Sequence, residues 1–441
     1  CGYVKCSANS LRNIPEGSYS EMFRGVGEKL SAEKMHRYEA DEIIWLNSQK
    51  ADDYTKECKV CKHVGKVSED GLCPLCSKIQ KLSNNVLYSD FFSVVLEGEA
   101  DGLPLPGGYL LLADDEKTLS KRMEKDSYFV RVYAKNQMYT GKHIATKLWV
   151  GDYTTGDTFE KFAQKAEGIK RIGVLRADVD NLGQTFVAGF AGKYATLSRT
   201  AALSRQLSIF FKYYIRSILK NGEYQIDGEK KLTERNATIV YSGGDDVFIV
   251  GAWNEVIELS IDLQEKFKKY TQGTLSISSG IGIYECTYPI GAIANETGEM
   301  EAESKRMPEK DSVTFMDDGE THLINELEIC DGTYRWEELY KSVLGEKYDV
   351  IQDFLGESDE RGMSFLYRML ELIRNQKEKI NFARFVYLLS RLEPDKEGEK
   401  KEKYRKFSRK MYQWVQSEKD CRELKTAINL YAYMHREKGA H

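Results

Sequence analysis

Two acidic segments contain residues that could bind a divalent metal ion. Asp178 and Asp180 lie at the end of an apolar run, IKRIGVLRAD, while Asp245 and Asp246 end the sequence GGDD between the apolar runs ATIVYS and VFIVGAW. Carboxylates brought together without basic partners repel one another, and Mg²⁺ or Mn²⁺ relieves that repulsion by binding their oxygens. We therefore predict a Mg²⁺ or Mn²⁺ site formed by Asp178, Asp245 and Asp246.

The residues around these acids are of types that could contact a nucleotide. We expect the two glycines of GGDD to adopt positive φ and to let a phosphate or ribose approach closely. The segment from 179 to 183 is expected to present backbone N–H groups to a triphosphate, with a lysine on a later helix reaching the same phosphates. GGDD alone is equally consistent with a surface hairpin, because Gly and Asp are favoured in turns. The predicted nucleotide-binding residues are Val179, Asp180, Asn181, Leu182, Gly183, Gly243, Gly244 and Lys305.

The chemistry that suits this set is nucleotidyl transfer. One divalent ion would acidify a ribose hydroxyl, and a second would hold the α-phosphate and the leaving pyrophosphate during in-line displacement at phosphorus. Such a reaction requires no side-chain base. The acidic segments therefore predict a metal-dependent nucleotidyltransferase.

Four of the nine cysteines form a separate cluster in the sequence. Cys58 and Cys61 are separated by two residues, as are Cys73 and Cys76, which is typical of a tetrahedral zinc site that stabilises a segment too short to have a core. A closed four-thiolate site has no open position for catalysis, so we predict structural zinc, with His63 as an alternative ligand. The other five cysteines are scattered, which favours a reducing compartment over a disulfide framework.

Composition excludes several classes of protein. The 441 residues carry a net charge of −5, from 64 Lys and Arg against 69 Asp and Glu, which argues against binding nucleic acid by bulk charge. No apolar stretch approaches the about 18 residues that suggest a membrane span, and the first residues do not resemble a signal peptide, so we expect a cytoplasmic protein. None of the six histidines is followed by Asp, so the chain contains no HD phosphohydrolase motif.

Apolar periodicity predicts the elements that would position the acids. Between about 160 and 316, strands and helices follow in the order β-α-β-β-α-β, with a further helix and short strand, which is the order of a ferredoxin-like fold. The first and third strands of such a sheet are central neighbours. Asp178 and the GGDD hairpin are therefore expected at one rim of the sheet.

The individual elements of this region are predicted as follows. Asn254 is expected to be the N-cap of the second helix, and LSISSGIGI is expected to form a half-buried strand. The first helix is expected to span residues 198–220 and to bury Leu203, Leu207, Phe210, Tyr214 and Ile218.

The whole chain is expected to be an α+β protein whose ferredoxin-like palm is accompanied by smaller modules. Residues 31–50 have helical content, and the run KEGEKKEKYRK near 400 is interpreted as a solvated loop. The predicted divisions are 1–50, the tail of a preceding palm and a linker helix; 51–85, the zinc module; 86–160, a β-rich connector; 161–320, the GGDD palm; and 321–441, a C-terminal helical bundle.

Three segments of the chain, in their order and spacing, resemble the large palm-domain subunit of type III-A CRISPR effector complexes. They are VLRADVDNLG, SRTAALSRQLSIFFKYY and IVYSGGDDVFIVGAW. The resemblance extends to KMHRYEADEIIWLN with the four cysteines, and to GMSFLYRMLELI and INFARFVYLLSRLEP in the helical region. It therefore covers nearly the whole chain. Because the chain begins without Met and residues 1 to about 40 look like the tail of a first palm, we expect it to be part of a longer or split protein.

The resemblance implies an activity and a set of partners. Members of the family use the GGDD palm to make cyclic oligoadenylates from ATP when the complex binds target RNA. Asp245 and Asp246 match the family motif, Asp178 matches the first-strand acid, and Asp180 is a further candidate ligand. Ser198 and Ser204 are candidates for adenine selection. The implied partners are a subunit that holds the 5′ end of the CRISPR RNA, a small helical subunit, and the CRISPR and target RNAs.

Two other functions are compatible with parts of the sequence. A diguanylate or adenylate cyclase uses the same palm and metal-binding carboxylates, although the zinc module and the helical bundle fit it poorly. A catalytically silent scaffold of a ribonucleoprotein is the second alternative, against which the three intact acids argue, because a degenerate site would be expected to lose mutually repelling carboxylates. Metal-dependent ATP binding would support an active palm, and a preference for GTP would favour the diguanylate cyclase.

Overall fold

The computed structural model describes residues 19–36, 39–48, 56–96, 102–124, 128–191, 194–226, 232–316, 319–356, 361–375 and 379–436. The chain divides into two units, one of residues 1–152 and 183–205 and the other of residues 153–182 and 206–441. Within the described ranges, no helix has both the length and the apolar character needed to cross a membrane.

The first unit contains the cysteine-rich segment and a five-stranded sheet. The helical content expected over 31–50 forms parts of two helices, since the first ends at Met35 and the second begins at Ala40, while residues 49 and 50 lie outside the described residues. The strand order is β2-β3-β1-β4-β5. The elements are α1 Tyr19–Met35, α2 Ala40–Ser48, α3 Pro74–Val86, β1 Phe91–Leu96, β2 Leu103–Leu105, β3 Tyr109–Asp114, α4 Glu116–Glu124, β4 Phe129–Lys135 and β5 Thr146–Leu148.

The second unit is built on a six-stranded sheet of order β13-β10-β9-β6-β8-β7. In the four strands β9, β6, β8 and β7, each strand is antiparallel to its neighbours within this set, and their order is that of a ferredoxin-like sheet, as predicted. Two helices in this part of the chain, α6 Leu182–Ala188 and α7 Leu197–Ile209, lie mostly within residues 183–205 of the first unit. The other elements are α5 Phe159–Lys165, β6 Ile172–Val179, α8 Ile215–Lys220, β7 Ala237–Ser242, β8 Asp246–Ala252, α9 Trp253–Tyr270, β9 Ile277–Tyr284, α10 Ile290–Ser304, β10 Ser312–Phe315, β11 Thr321–Ile324, β12 Leu327–Cys330 and β13 Thr333–Arg335.

Helices α9 and α10 cover opposite faces of the sheet. A Cβ added to Gly173 of β6 would meet Trp253 and Val256 of α9, whereas Arg176 of the same strand forms an ion pair with Glu301 of α10. Successive residues of a strand point to opposite faces, so Arg176 and Asp178 share the face that α10 covers. This double cover explains why β9, predicted to be half-buried, is buried along nearly its whole length.

Two predictions for the palm helices are wrong in detail. Phe210–Tyr214, between α7 and α8, is a π-helical turn, and its extra residue rotates the buried face, so that Tyr214 is 45% exposed while Phe211 and Ile215 are buried. Asn254 is not the N-cap of α9, because β8 runs directly into the helix and Ala252 occupies that position. The Asn254 side chain instead accepts a hydrogen bond from the backbone N–H of Glu167 at 3.2 Å.

The C-terminal region is mainly helical, but it begins with strands. β11 and β12 form a hairpin, and β13 adds to the palm sheet beside β10. The run KEGEKKEKYRK is largely the first part of a helix, because Tyr404 and Phe407 anchor one of its faces in the core. The helices are a π-helical segment Glu338–Tyr348, α11 Asp349–Leu355, α12 Arg361–Arg374, α13 Lys379–Ser390, α14 Glu399–Trp414 and α15 Glu418–His435.

Candidate functional site

The register of the palm sheet brings the two acidic segments together. Asp178 of β6 is the direct partner of Asp246 of β8, and the backbone N–H of Val179 donates to the carbonyl oxygen of Asp245 at 3.2 Å. Opposite residues of an antiparallel pair have Cα atoms about 4.5–5.5 Å apart. The end of β6 and the GGDD hairpin therefore lie at one rim of the sheet, as the strand order predicts.

The acids at this rim influence one another. Partial burial, followed by the charges of Asp178 and Asp246, raises the pKa of Asp245 above its ordinary value. The charge of Asp246 is likewise the main cause of a raised pKa at Tyr241. The Oδ1 atom of Asp246 is buried and has no hydrogen-bond partner among the described residues. A buried carboxylate oxygen without a partner is costly, and a divalent cation is a suitable ligand for it.

Lys305 lies directly after α10 and forms an ion pair with Asp178. Its Nζ donates to Asp178 Oδ2 and, at 2.7 Å, to Glu301 Oε1, while Glu301 Oε2 is 2.8 Å from Arg176 Nε. Burial disfavours the lysine's charge, but the hydrogen bonds that Lys305 donates to Asp178 and Glu301 outweigh burial and raise the pKa of Lys305. Arg176, Glu301, Lys305 and Asp178 thus form a chain of alternating charge.

The three aspartates do not form a ready-made metal site in this arrangement, in which Asp178 is paired with Lys305. Among the described residues, only the four clustered cysteines place three or more ligand atoms within 4.8 Å of one another, so the carboxylates of Asp178, Asp245 and Asp246 do not converge that closely. The side chains of Lys305 and Asp178 are 25% and 27% exposed, so the pair is accessible to solvent. A cation that binds Asp178 must therefore compete with Lys305.

The glycines of GGDD act through the space that they leave, which corrects the prediction of positive φ. Neither Gly243 nor Gly244 is among the residues with positive φ. A Cβ on Gly243 would lie 2.2 Å from Asp246 Oδ1 and 2.5 Å from the Tyr241 hydroxyl, whereas a Cβ on Gly244 would meet nothing closer than Ser208 Oγ at 3.6 Å. Gly243 therefore permits the observed position of the Asp246 carboxylate.

The segment from 179 to 183 departs in part from its predicted role. The N–H groups of Val179 and Asp180 donate to Asp245 and Ser276 backbone oxygens, at 3.2 and 2.9 Å, so in this arrangement they are not available to a triphosphate. Leu182 and Gly183 open α6, where first-turn N–H groups lack partners within the helix. Phosphate binding by these two residues stays a prediction.

Asp180 and Asn181 are held by neighbouring loops. Asp180 is 2% exposed, and its Oδ2 accepts hydrogen bonds from Ser276 Oγ at 2.7 Å and from the N–H of Asp311 at 3.1 Å, while its Oδ1 has no partner in the described part of the chain. Asn181 has a φ of +52° and accepts from Lys310 Nζ at 2.8 Å. Asp180 thus ties the end of β6 to the residues before β9 and β10, and its role as a ligand stays a prediction.

Ser198 and Ser204 are exposed residues of α7. Both belong to the first unit of the chain, whereas the GGDD hairpin belongs to the second. Their role in adenine selection stays a prediction.

The four predicted zinc ligands converge. Their sulfur atoms all lie within 4.8 Å of one another, and Cys61 Sγ is 3.7 Å from Cys73 Sγ. Two thiolates bound to one tetrahedral zinc ion are expected to lie about 3.8 Å apart, so the observed distance fits. Backbone N–H groups of Cys61 and Cys73 are the main cause of a pKa near 6 at Cys58. Cys58, Cys73 and Cys76 are buried and Cys61 is exposed. The alternative ligand His63 is outside this group, so the donor set fits zinc without it.

Glu301 and Arg176 were not identified from the sequence, although two signals could have found them. Glu301 precedes Lys305 by four residues, a spacing that places side chains together on a helix. Arg176 precedes Asp178 by two residues in a strand, so both point to the same face.

Comparison with known proteins gives two matches to family models. Residues 171–314 match the Cas10/Cmr2 second palm domain, and residues 352–437 match the second helical domain of the Cmr2 subunit of the CRISPR RNA silencing complex. The second match lies in the second unit, whereas the first also includes residues 183–205 of the first unit. The first includes the strands and helix that carry the three aspartates and Lys305.

A curated relative and two solved structures are similar over most of the chain. The relative, the "CRISPR system single-strand-specific deoxyribonuclease Cas10/Csm1 (subtype III-A)" of Mycobacterium tuberculosis, is 39% identical over 99% of this chain and 55% of its own length. The Csm1-Csm4 cassette in complex with pppApApA has a TM-score of 0.65 and 19% identity, covering 98% of this chain and 55% of that one. The cassette in complex with cA3 has a TM-score of 0.62 and 21% identity, covering 96% and 55%. The chain thus spans about half the length of the proteins it matches.

Proposed function

Because the chain belongs to the Cas10/Csm1 family of subtype III-A CRISPR systems, we propose that its palm joins ATP molecules into cyclic oligoadenylates when its complex binds target RNA. The observation that carries the proposal is the position of Asp178 opposite Asp246, with Asp245 beside them and Lys305 within reach. These groups are the types needed to hold divalent ions and a triphosphate.

The related cassettes support the choice of substrate and product. One of them was crystallised with the linear triadenylate pppApApA and another with the cyclic triadenylate cA3. A linear chain that carries a 5′-triphosphate is the species expected before the last 3′–5′ bond closes the ring. The deoxyribonuclease activity in the relative's name is not part of the proposal, because none of the six histidines of this chain is followed by Asp.

The palm residues have separable roles in the proposed reaction. Asp178, Asp245 and Asp246 would hold Mg²⁺ or Mn²⁺, which fits the unpartnered Asp246 oxygen. Such ions acidify an attacking hydroxyl and stabilise the leaving pyrophosphate. Lys305, once released from Asp178, would pair with phosphate oxygens while Glu301 limits its movement.

The zinc module would have a structural role. The sulfur atoms of Cys58, Cys61, Cys73 and Cys76 would occupy all four positions of a tetrahedral ion and leave none for a substrate. In this proposal, zinc stabilises the fold of residues 58–76 and takes no part in the chemistry at the GGDD hairpin.

The partners are proposed from the same relatives. The related chains were crystallised as Csm1-Csm4 cassettes, which supports a Csm4-like subunit that holds the 5′ end of the CRISPR RNA as the partner of this chain. The small helical subunit, the CRISPR RNA and the target RNA would complete the complex.

Nucleotide binding to the full chain tests whether the palm is active. We expect ATP binding that requires Mn²⁺ or Mg²⁺, that exceeds GTP binding, and that is lost in the double variant Asp245→Asn/Asp246→Asn. A preference for GTP would support a diguanylate cyclase instead. Equal ATP binding with and without metal, or in the double variant, would contradict the proposed role of the aspartates.

A further inference from the structure

A cavity of about 1020 Å³ lies in the second unit, and none of the palm acids lines it. Its walls come from the loop after α10, the hairpin β11–β12 and its flanks, the end of β13, the start of the π-helical segment, and the helices α12 and α15. This volume is at the upper end of the range of small-molecule sites, so a molecule of nucleotide size would fit.

The walls of the cavity are unusually rich in charged side chains. Three of the four lining acids are already in ion pairs, since Lys425 lies 2.6 Å from Glu320 and 2.7 Å from Asp331, and Lys419 lies 2.5 Å from Glu338. Glu418 is the remaining lining acid. The lining cations are Arg335, Arg374, Lys419, Arg422 and Lys425.

Two of the lining guanidinium groups are not ion-paired. Among the described residues, neither Arg374 nor Arg422 has a carboxylate within ion-pair distance. Arg422 is 7% exposed, its Nε has no hydrogen-bond partner there, and its guanidinium carbon lies 5.1 Å from the centre of the Tyr334 ring. A buried guanidinium that lacks a carboxylate is unfavourable, and an oxyanion in the adjoining cavity would relieve that cost.

A hydrogen-bonded chain fixes the orientation of Arg422. Its Nη1 donates to His322 Nε2, so the other ring nitrogen, Nδ1, carries the proton and donates to Asp331 Oδ1 at 3.1 Å. Burial disfavours the charge of Asp331, but hydrogen bonds from His322 and Lys425 outweigh burial and lower its pKa to about 2. Arg422 is therefore held in place by a histidine and not by a carboxylate, which leaves its charge for a ligand.

We propose that this cavity binds a small molecule bearing phosphoryl groups, with Arg374 and Arg422 as the residues that contact its oxygens. Planar guanidinium groups match the geometry of phosphate oxygens and can bind them in pairs. The site is separate from the proposed ATP site, since the two share no residue.

Calorimetric titration of the full chain with inorganic pyrophosphate tests the site. Arg374 is exposed, so the variant Arg374→Ala is expected to fold normally, which thermal unfolding would verify. We expect it to weaken pyrophosphate binding about tenfold, because one charge-assisted hydrogen bond is lost. Arg422→Lys keeps the charge but not the planar fork and is expected to weaken binding as well. Citrate, titrated in parallel, distinguishes phosphoryl from carboxylate recognition, and stronger citrate binding would overturn the choice of ligand.

Lys305→Ala is the matched control, because it removes a cation of the palm and leaves the cavity intact. We expect it to retain the pyrophosphate binding that is sensitive to Arg374. If pyrophosphate binding were lost in Lys305→Ala and unchanged in Arg374→Ala and Arg422→Lys, the cavity site would be refuted and all binding would belong to the palm. Failure of the palm to bind ATP would leave this test unaffected.

Discussion

Asp178 and Asp246 are direct partners across the antiparallel pair β6–β8, and in this arrangement Lys305 forms an ion pair with Asp178 but not with Asp246. Asp246 keeps a buried carboxylate oxygen without a hydrogen-bond partner in the described residues, and the adjacent Asp245 has a raised pKa. The rim therefore holds unbalanced negative charge, which a divalent cation would neutralise.

Lys305→Met is expected to separate metal binding from nucleotide binding. Loss of the lysine frees Asp178, so Mn²⁺ binding without nucleotide should strengthen several-fold, while the KM for ATP should rise because a phosphate contact is lost. Calorimetry with Mn²⁺ and steady-state kinetics would measure the two effects. Lys310→Met is the control, because Lys310 contacts Asn181 and none of the three aspartates proposed to bind the metal. Weaker Mn²⁺ binding in Lys305→Met would contradict the competition between lysine and metal.

Gly243→Ala and Gly244→Ala form a matched pair. The added methyl group at 243 would overlap Asp246 Oδ1 and the Tyr241 hydroxyl, whereas the one at 244 meets only Ser208 Oγ at 3.6 Å. We expect Gly243→Ala to displace the carboxylate and reduce nucleotidyl transfer at least tenfold, with Gly244→Ala close to wild type. Assays at saturating ATP, with circular dichroism to verify folding, would test this. Equal activities would show that the position of Asp246 does not depend on Gly243.

The raised pKa of Asp245 predicts how stability depends on pH without metal. An acid whose pKa is higher in the folded than in the unfolded state destabilises the fold increasingly as pH rises from about 4 through the folded-state pKa. Asp245→Asn should therefore raise the Tm relative to wild type at pH 7, and the difference should shrink toward pH 4. Asp157→Asn is the opposite case, because Lys161 lowers the pKa of Asp157. This substitution should leave the Tm unchanged or reduce it slightly. A lower Tm for Asp245→Asn at pH 7 would contradict the prediction.

The cysteine cluster predicts about one zinc ion per chain. Cys61→Ser should lower the zinc content and increase proteolysis within residues 58–76, because metal binding supplies the folding energy of such a segment. Mass spectrometry of the metal content would measure the first effect. Cys286→Ser, which lies outside the cluster, should retain zinc. A wild-type chain purified without zinc and insensitive to chelators would refute the site.

The palm could be predicted from the sequence because its patterns are local. The strands around Asp178 and GGDD are continuous apolar runs, and their chain order is sufficient to place both at one rim. The convergence of the four cysteines was predictable for the same reason, since two pairs of cysteines at fixed spacing lie in short turns.

The remaining features depend on tertiary contacts that periodicity does not describe. Tyr214 has the spacing of a core residue, but the π-helical turn rotates it outward. Asn254 has the composition of an N-cap, but it contacts Glu167 instead. The pairing of Lys305 with Asp178 joins residues 127 positions apart, so no spacing rule identifies it.

Conversion of labelled ATP is the most direct measurement of the proposed function. The chain would be assembled with its partner subunits, CRISPR RNA and target RNA, and supplied with ATP and Mn²⁺, beside Asp245→Ala/Asp246→Ala. We expect cyclic oligoadenylates from the wild-type complex and none from the double variant. Cyclic products of equal yield from the double variant would place the chemistry elsewhere, and an assembled wild-type complex that binds target RNA without forming any adenylate product would refute the synthase function.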